Sequence, residues 1–321
     1  MNRKLAVVLP ALNDCYREQI LAAARRHGFS VSFFTNDQDA LPALSDAEVI
    51  LGQSAFLSRN APKLRWLCTP SAGVNQFLAP DAFAAPDAML SNSSGAYGVT
   101  IAEHIVMVTL ELMRRQMEYN EIVSRRAWRR DLPIRSIHGS RVTLLGTGDI
   151  GREAAVRLRA FSPQSLTGMN RSGRNPENLF DRIVTEENLD AVLPETDLLI
   201  LSLPDTPETR GILSAKRLSL LPRDAFLVNV GRGTAIDQQA LEALLRAGHL
   251  AGAALDVFEK EPLPADSGLW ECPCLLVTPH VAGNMTLAYT VDRIIAQFLA
   301  DFERYCAGLA PAHLVDRSIG Y

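Results

Sequence analysis

Short apolar runs alternate with longer mixed stretches along nearly the whole chain. Early runs at Lys4–Leu9, Ser30–Phe34, Glu48–Leu51, Arg65–Cys68 and Ala88–Leu90 read as strands. Between the first two, Cys15–Arg26 has helical composition, and Gly28 follows it as the residue a helix end favours. A long helix is expected from about Val99 to Ser124, apolar early (Ile101, Ile105, Val106, Val108, Leu110) and charged late. A second series follows at Arg141–Leu145, Ser165–Met169, Asp197–Leu201, Ala225–Val230, Gly252–Asp256 and Cys274–Thr278, and a last helix over Leu287–Tyr305. Several of these runs are continuously apolar rather than alternating, which marks strands covered on both faces. Strands that alternate with helices predict parallel sheets in an α/β protein. The expected division is a first domain made of 1–92 with 286–321, and a second spanning 93–285.

Composition narrows the function classes. The 321 residues suit two domains, and a formal charge of −4 gives no reason to expect nucleic acid or an anionic membrane as partner. No apolar run reaches the length of a membrane span. The start, Met1-Asn2-Arg3-Lys4 before Leu5–Leu9, is shorter than a signal peptide's apolar core and is closed by Pro10, so a first strand is expected there. The five cysteines are odd in number and scattered, and Cys272-Pro273-Cys274 lacks the spacing of a redox or zinc pair. A cytoplasmic protein with reduced thiols and no metal is expected.

Gly146-Thr147-Gly148-Asp149-Ile150-Gly151 fits G-x-G-x-x-G. Alone such a hexapeptide arises easily by chance. Here a strand precedes it and the helical stretch Gly151–Ala160 follows, which is the context of a dinucleotide-binding turn. The glycines allow the tight turn, the approach of a pyrophosphate, and close helix packing, while the helix N-terminus favours the anion. The next strand should end at the adenosine ribose. It ends in Asn170-Arg171-Ser172-Gly173-Arg174, without the carboxylate that would repel a 2′-phosphate. Arg171 and Arg174 can pair with that phosphate, and Asn170 and Ser172 can hydrogen-bond it. NADP(H) is expected, with NAD(H) possible if the loop is only a solvated basic turn.

Three later stretches carry charge just beyond a strand, where open α/β sheets bind ligands: Asn229–Gly233, Asp256–Pro262 and Thr278–Gly283. Arg232 offers a planar fork that matches a carboxylate. His280 can give a proton to a carbonyl oxygen and recover it, and a carboxylate beside it favours imidazolium and sets the tautomer. Singly each has a structural reading; together, after a dinucleotide turn, they point to carbonyl reduction.

With these motifs in order, the chain resembles the D-isomer-specific 2-hydroxyacid dehydrogenase family over essentially its whole length, best from Asn92 to Gly283. Leu203-Pro204 with Thr209-Arg210-Gly211 adds to the match, and the closing stretch from Val315 to Tyr321 is similar to the glyoxylate/hydroxypyruvate reductase-like branch. The resemblance implies two Rossmann-like parallel-sheet domains, one flavodoxin-like and one dinucleotide-binding, in a homodimer. It implies NAD(P)H-dependent interconversion of small 2-keto and D-2-hydroxy acids. Arg232 would bind the substrate carboxylate, His280 would be the acid/base, and Glu261 its partner. Asp256 would contact the nicotinamide carboxamide, and Leu203, Pro204, Val230, Gly231, Ala282 and Gly283 would line the cofactor. Ser71-Ala72-Gly73-Val74 looks like the loop whose N–H groups cradle the carboxylate, from Ala72, Gly73 and Val74. Glu261 stands where formate dehydrogenases carry glutamine. A phosphoglycerate-dehydrogenase-like enzyme and a dinucleotide-sensing corepressor on the same fold are the alternatives. Glu103-His104 is expected to be structural, and the basic cluster around Trp128 a solvated face or dimer contact.

Overall fold

A computed structural model of the chain describes residues 3–10 and 12–320; Met1, Asn2 and Tyr321, which belong to the terminal stretches read above, lie outside the described residues. The chain forms two compact units, Met1–Tyr97 with Met285–Tyr321, and Gly98–Asn284.

The first unit runs β1 (Arg3–Val8), α1 (Asp14–Arg26), β2 (Phe29–Phe34), α2 (Asp37–Leu44), β3 (Val49–Gly52), α3 (Ala55–Arg59), β4 (Trp66–Cys68) and β5 (Met89–Ser91). Its five strands lie in the order β2-β1-β3-β4-β5, all parallel, which is the flavodoxin-like arrangement. Local chemistry sets the ends of the helices. Asn13 caps α1 by accepting from the Tyr16 N–H at 3.0 Å, Asp14 and Arg25-Arg26 match the helix dipole, and Gly28 turns the chain at φ 71°.

The second unit continues with α4 (Gly98–Met113), α5 (Gln116–Ser124), β6 (Arg141–Leu145), α6 (Asp149–Arg159), β7 (Ser165–Met169), β8 (Arg182–Val184), α7 (Leu189–Val192), β9 (Leu198–Leu201), α8 (Ala215–Ser219), β10 (Phe226–Asn229), α9 (Gln238–Arg246), β11 (Gly252–Leu255) and β12 (Leu275–Val277). The sheet order is β12-β11-β10-β9-β6-β7-β8, so the chain reverses direction across the sheet between β6 and β9. That reversal is the switch point at which such sheets bind dinucleotides. The strands β9, β10 and β11 are buried at every residue, as their unbroken apolar runs require.

The last helix, α10 (Ala288–Cys306), packs into the first unit, where Phe298 stacks on Trp66 with ring centroids 5.6 Å apart. Among the described residues no helix is long and apolar enough to cross a membrane.

Two elements depart from the sequence reading. The helix expected over 99–124 is two helices, because Arg115 adopts a left-handed conformation (φ 57°, ψ 41°). The apolar stripe Ile101-Ile105-Val108-Leu112 ends there, and α5 buries none of its residues, so no packing enforces one continuous rod. The second departure is β8, three residues with a half-exposed pattern, which gave no periodic signal and pairs in parallel with β7.

Candidate active site

Each candidate loop leaves the C-terminal end of a strand in the second unit. At the glycine turn, Gly146 takes φ 100°, and a Cβ there would lie 2.9 Å from the Ser202 hydroxyl. A Cβ on Gly151 would collide with the Gly146 carbonyl, whereas one on Gly148 would meet open space. The first and third glycines are therefore steric necessities of the turn, and the second leaves room above the backbone. Gly148 is also the N-cap of α6, with no side chain capping it, so the fit to a pyrophosphate is good. The helix begins at Asp149, earlier than expected. The Asp149 carboxylate is turned to the start of α4, with Oδ2 2.5 Å from the Cβ position of Gly98. Any part for Asp149 at a phosphate is thus left to its backbone. Ser202, not foreseen, seats the turn by donating to the Gly146 carbonyl at 3.3 Å.

The loop after β7 is organised by one side chain. Asn170 donates to Thr147 Oγ1 at 2.7 Å and to the Arg174 carbonyl at 2.9 Å, and accepts from the Gly173 N–H at 2.8 Å and the Ser172 hydroxyl at 3.2 Å. Asn170 is therefore the builder of the turn rather than a free phosphate ligand. Arg171, Ser172 and Arg174 are exposed around it.

The arginine loop is clamped between its neighbours. Asn229 donates to the Arg232 carbonyl at 2.9 Å and accepts from the Gly231 N–H at 3.0 Å. A Cβ on Gly231 would lie 2.7 Å from the Leu203 backbone, and one on Gly233 would overlap the Phe258–Glu259 peptide. Gly233→Ala is accordingly expected to destabilise the fold by about 3 kcal/mol or more, since backbone on both sides must move. Thermal or urea unfolding measures this, and an unchanged midpoint would contradict the packing. Arg232 donates to the Gly231 carbonyl at 2.7 Å, and among the described residues it is in no ion pair. Burial pushes its guanidinium below the ordinary value, while Asp205 and then Glu261 draw it back up.

His280 and Glu261 meet directly, Nδ1 to Oε2 at 2.7 Å, and Glu261 Oε1 accepts the Phe258 N–H at 2.9 Å. The histidine side chain is 50% exposed, and its Nε2 has no hydrogen-bond partner among the described residues. His280 sits at φ 55°, a conformation that side chains other than glycine rarely adopt and that neighbouring structure must hold. Asp256 does this. Its carbonyl accepts the His280 N–H at 2.9 Å, Oδ1 accepts the Val281 N–H at 2.9 Å and the Thr278 hydroxyl at 2.6 Å, and Oδ2 accepts the Ala282 N–H at 3.0 Å. Asp256, expected only to contact the cofactor, is the post around which the histidine loop is wound. His104 lies behind it, with Nε2 3.4 Å from Thr278 Oγ1. Val230, Leu203 and Ala282 have buried side chains, whereas Pro204 and Gly283 lie nearer the surface.

In the first unit, the 71–74 loop is tied by its carbonyls. Asn92 donates to the Ala72 carbonyl and the Ser71 hydroxyl to the Gly73 carbonyl, both at 2.8 Å. The N–H groups of Ala72, Gly73 and Val74 are in no hydrogen bond among the described residues. Such a loop has donors to offer an anion.

The family model described as the NAD binding domain of D-isomer specific 2-hydroxyacid dehydrogenases matches residues 106–282. The glyoxylate/hydroxypyruvate reductase B of Pectobacterium carotovorum subsp. carotovorum is 32% identical over 281 residues, covering 83% of this chain and 87% of that protein. A solved D-isomer specific 2-hydroxyacid dehydrogenase family protein from Aeromonas salmonicida matches with a TM-score of 0.87 and 32% identity, over 99% of this chain and all of its own (100%). The NADPH-dependent glyoxylate/hydroxypyruvate reductase of Sinorhizobium meliloti, solved with NADP and sulfate, matches at TM-score 0.81 and 29% identity, over 99% and 100%. The chain belongs to the D-isomer specific 2-hydroxyacid dehydrogenase family and is an oxidoreductase of 2-hydroxy acids.

Proposed function

We propose that the protein reduces small 2-keto acids of the glyoxylate and hydroxypyruvate kind with NADPH, with Arg232 as carboxylate anchor and His280 as proton donor. The observation that carries this reading is a largely buried guanidinium in no ion pair among the described residues, on a loop that packs at Gly233 against the 258–259 peptide, just before the Glu261 that holds the His280 Nδ1. Apart from the Nη1 bond to the Gly231 carbonyl, the donors of such a guanidinium can serve a carboxylate, which arginine binds through paired charge-assisted bonds.

The nicotinamide, when bound, supplies the hydride. The glycine turn and the N-terminus of α6 would hold its pyrophosphate. Arg232 holds the substrate carboxylate and polarises the adjacent carbonyl. Glu261 accepts from Nδ1, so that Nε2 is the nitrogen which delivers a proton to the carbonyl oxygen during reduction. In the oxidising direction neutral Nε2 takes the hydroxyl proton, and Glu261 stabilises the imidazolium that results. As a separate part of the proposal, the N–H groups of Ala72, Gly73 and Val74 offer the first unit's donors to a substrate carboxylate.

The preference for NADPH rests on the turn that Asn170 builds, which presents Arg171 and Arg174 and no carboxylate. The relative from Sinorhizobium meliloti, solved with NADP, supports it. Replacing both Arg171 and Arg174 by alanine is expected to lower kcat/KM for NADPH by about tenfold or more, the value of one or two charge-assisted bonds, and to leave NADH nearly unaffected. Initial rates with each cofactor measure this. A wild-type preference for NADH would remove the cofactor part of the proposal while leaving the reaction standing.

A further inference from the structure

The turn that follows β9 carries a buried charge for which the proposed reaction has no direct use. Asp205, next after Leu203-Pro204, has a side chain only 8% exposed. Its Oδ1 accepts the Thr234 hydroxyl and Arg210 Nε, both at 2.9 Å, and its Oδ2 accepts Arg210 Nη2 at 3.0 Å. The backbone runs alongside, with the Gly211 N–H donating to the Thr234 carbonyl at 2.8 Å and the Leu213 N–H to the Ala235 carbonyl at 3.0 Å. The segment 205–213 is thus zipped to the chain two and three residues beyond Arg232. A neutral side chain could accept from Thr234 equally well, and a buried carboxylate carries a desolvation cost that Arg210 must offset. The loop that Thr234 anchors carries Arg232 two residues earlier, so the Asp205 charge also favours the charged state of that guanidinium.

We infer that Asp205 is a positioning residue for Arg232: through Thr234 it ties down the arginine loop, and its charge balances the guanidinium without occupying the donors of the fork. The inference rests on the reading of Arg232 as the carboxylate anchor. An acid that paired with Arg232 directly would compete with substrate; Asp205 pairs with Arg210 and is tied to the arginine loop through Thr234.

The test is steady-state kinetics of Asp205→Ala and Asp205→Asn with hydroxypyruvate and NADPH, alongside Arg232→Gln and a thermal melt of each variant. The alanine variant should raise the KM for hydroxypyruvate by about tenfold or more, as small misplacements of a substrate-binding group do. Its KM for NADPH should stay near wild type. The asparagine variant, which still accepts from Thr234, should recover part of the loss. The inference is overturned if alanine leaves the hydroxypyruvate KM unchanged, if both KM values rise together, or if asparagine does no better than alanine. Should the alanine variant not fold, asparagine decides alone: a raised hydroxypyruvate KM at unchanged NADPH KM supports positioning, and a wild-type KM overturns it. A wild-type KM in Arg232→Gln would instead sink the anchor reading itself. Loss in that variant with none at Asp205 sinks the positioning role only.

Discussion

His280→Ala is expected to lower kcat for hydroxypyruvate by about a thousandfold, within the range that a positioned general acid contributes. The fold should survive the change. The backbone of the histidine loop is held by Asp256 through bonds to the N–H groups of residues 280, 281 and 282, none of which uses the imidazole. NADPH affinity, read from quenching of protein fluorescence, should therefore remain close to wild type while turnover collapses. Glu261→Gln should be milder, because the amide oxygen still accepts from His280 Nδ1 but no longer carries the charge that stabilises imidazolium. A His280→Ala enzyme that turns over at near wild-type rate would take the imidazole out of the chemistry.

Arg232→Gln should have the second large effect. A carboxylate held by two charge-assisted bonds at roughly 1.5–3 kcal/mol each loses about a hundred- to ten-thousandfold in kcat/KM when the fork is removed. Arg232→Lys keeps the charge but not the planar fork, and should fall between glutamine and wild type. The effect should be confined to the keto acid. Gly231 and Gly233 fix the path of the loop by their contacts with the Leu203 backbone and the Phe258–Glu259 peptide, which a change at position 232 leaves in place. If the glutamine variant binds keto acid as tightly as wild type, some other group is the anchor.

Much of this architecture could be read from residue patterns because the patterns are those of buried strands. Arg141–Leu145 and Ser165–Met169 coincide with β6 and β7, since each is a short run with a glycine-rich or basic loop at its end. The glycine turn was legible for the same reason: two of its three glycines meet backbone or hydroxyl atoms where a side chain would stand. What stayed hidden were the interactions that cross between loops far apart in sequence. Asp256 winds the loop 278–282 around itself, Ser202 seats a turn 56 residues earlier, and Asp205 reaches Thr234 29 residues on. No local periodicity encodes such contacts. Asn229 is more readily recovered, because its bonds reach only residues 231 and 232 and an asparagine two residues before a glycine at a strand end is a turn signal in its own right. The break at Arg115 was less so, since nothing in the charged stretch around it forbids a helix and only the end of the buried face stops one.

Arg232 and His280 are proposed to serve the reduction of a small 2-keto acid by NADPH. The direct measurement is loss of absorbance at the reduced nicotinamide band when glyoxylate or hydroxypyruvate is added to the protein with NADPH, and in parallel with NADH. Rapid loss with NADPH, slower loss with NADH, and near silence in the His280→Ala and Arg232→Gln variants are expected. Equal rates in wild type and both variants, or no oxidation of either cofactor by either keto acid, would contradict that role.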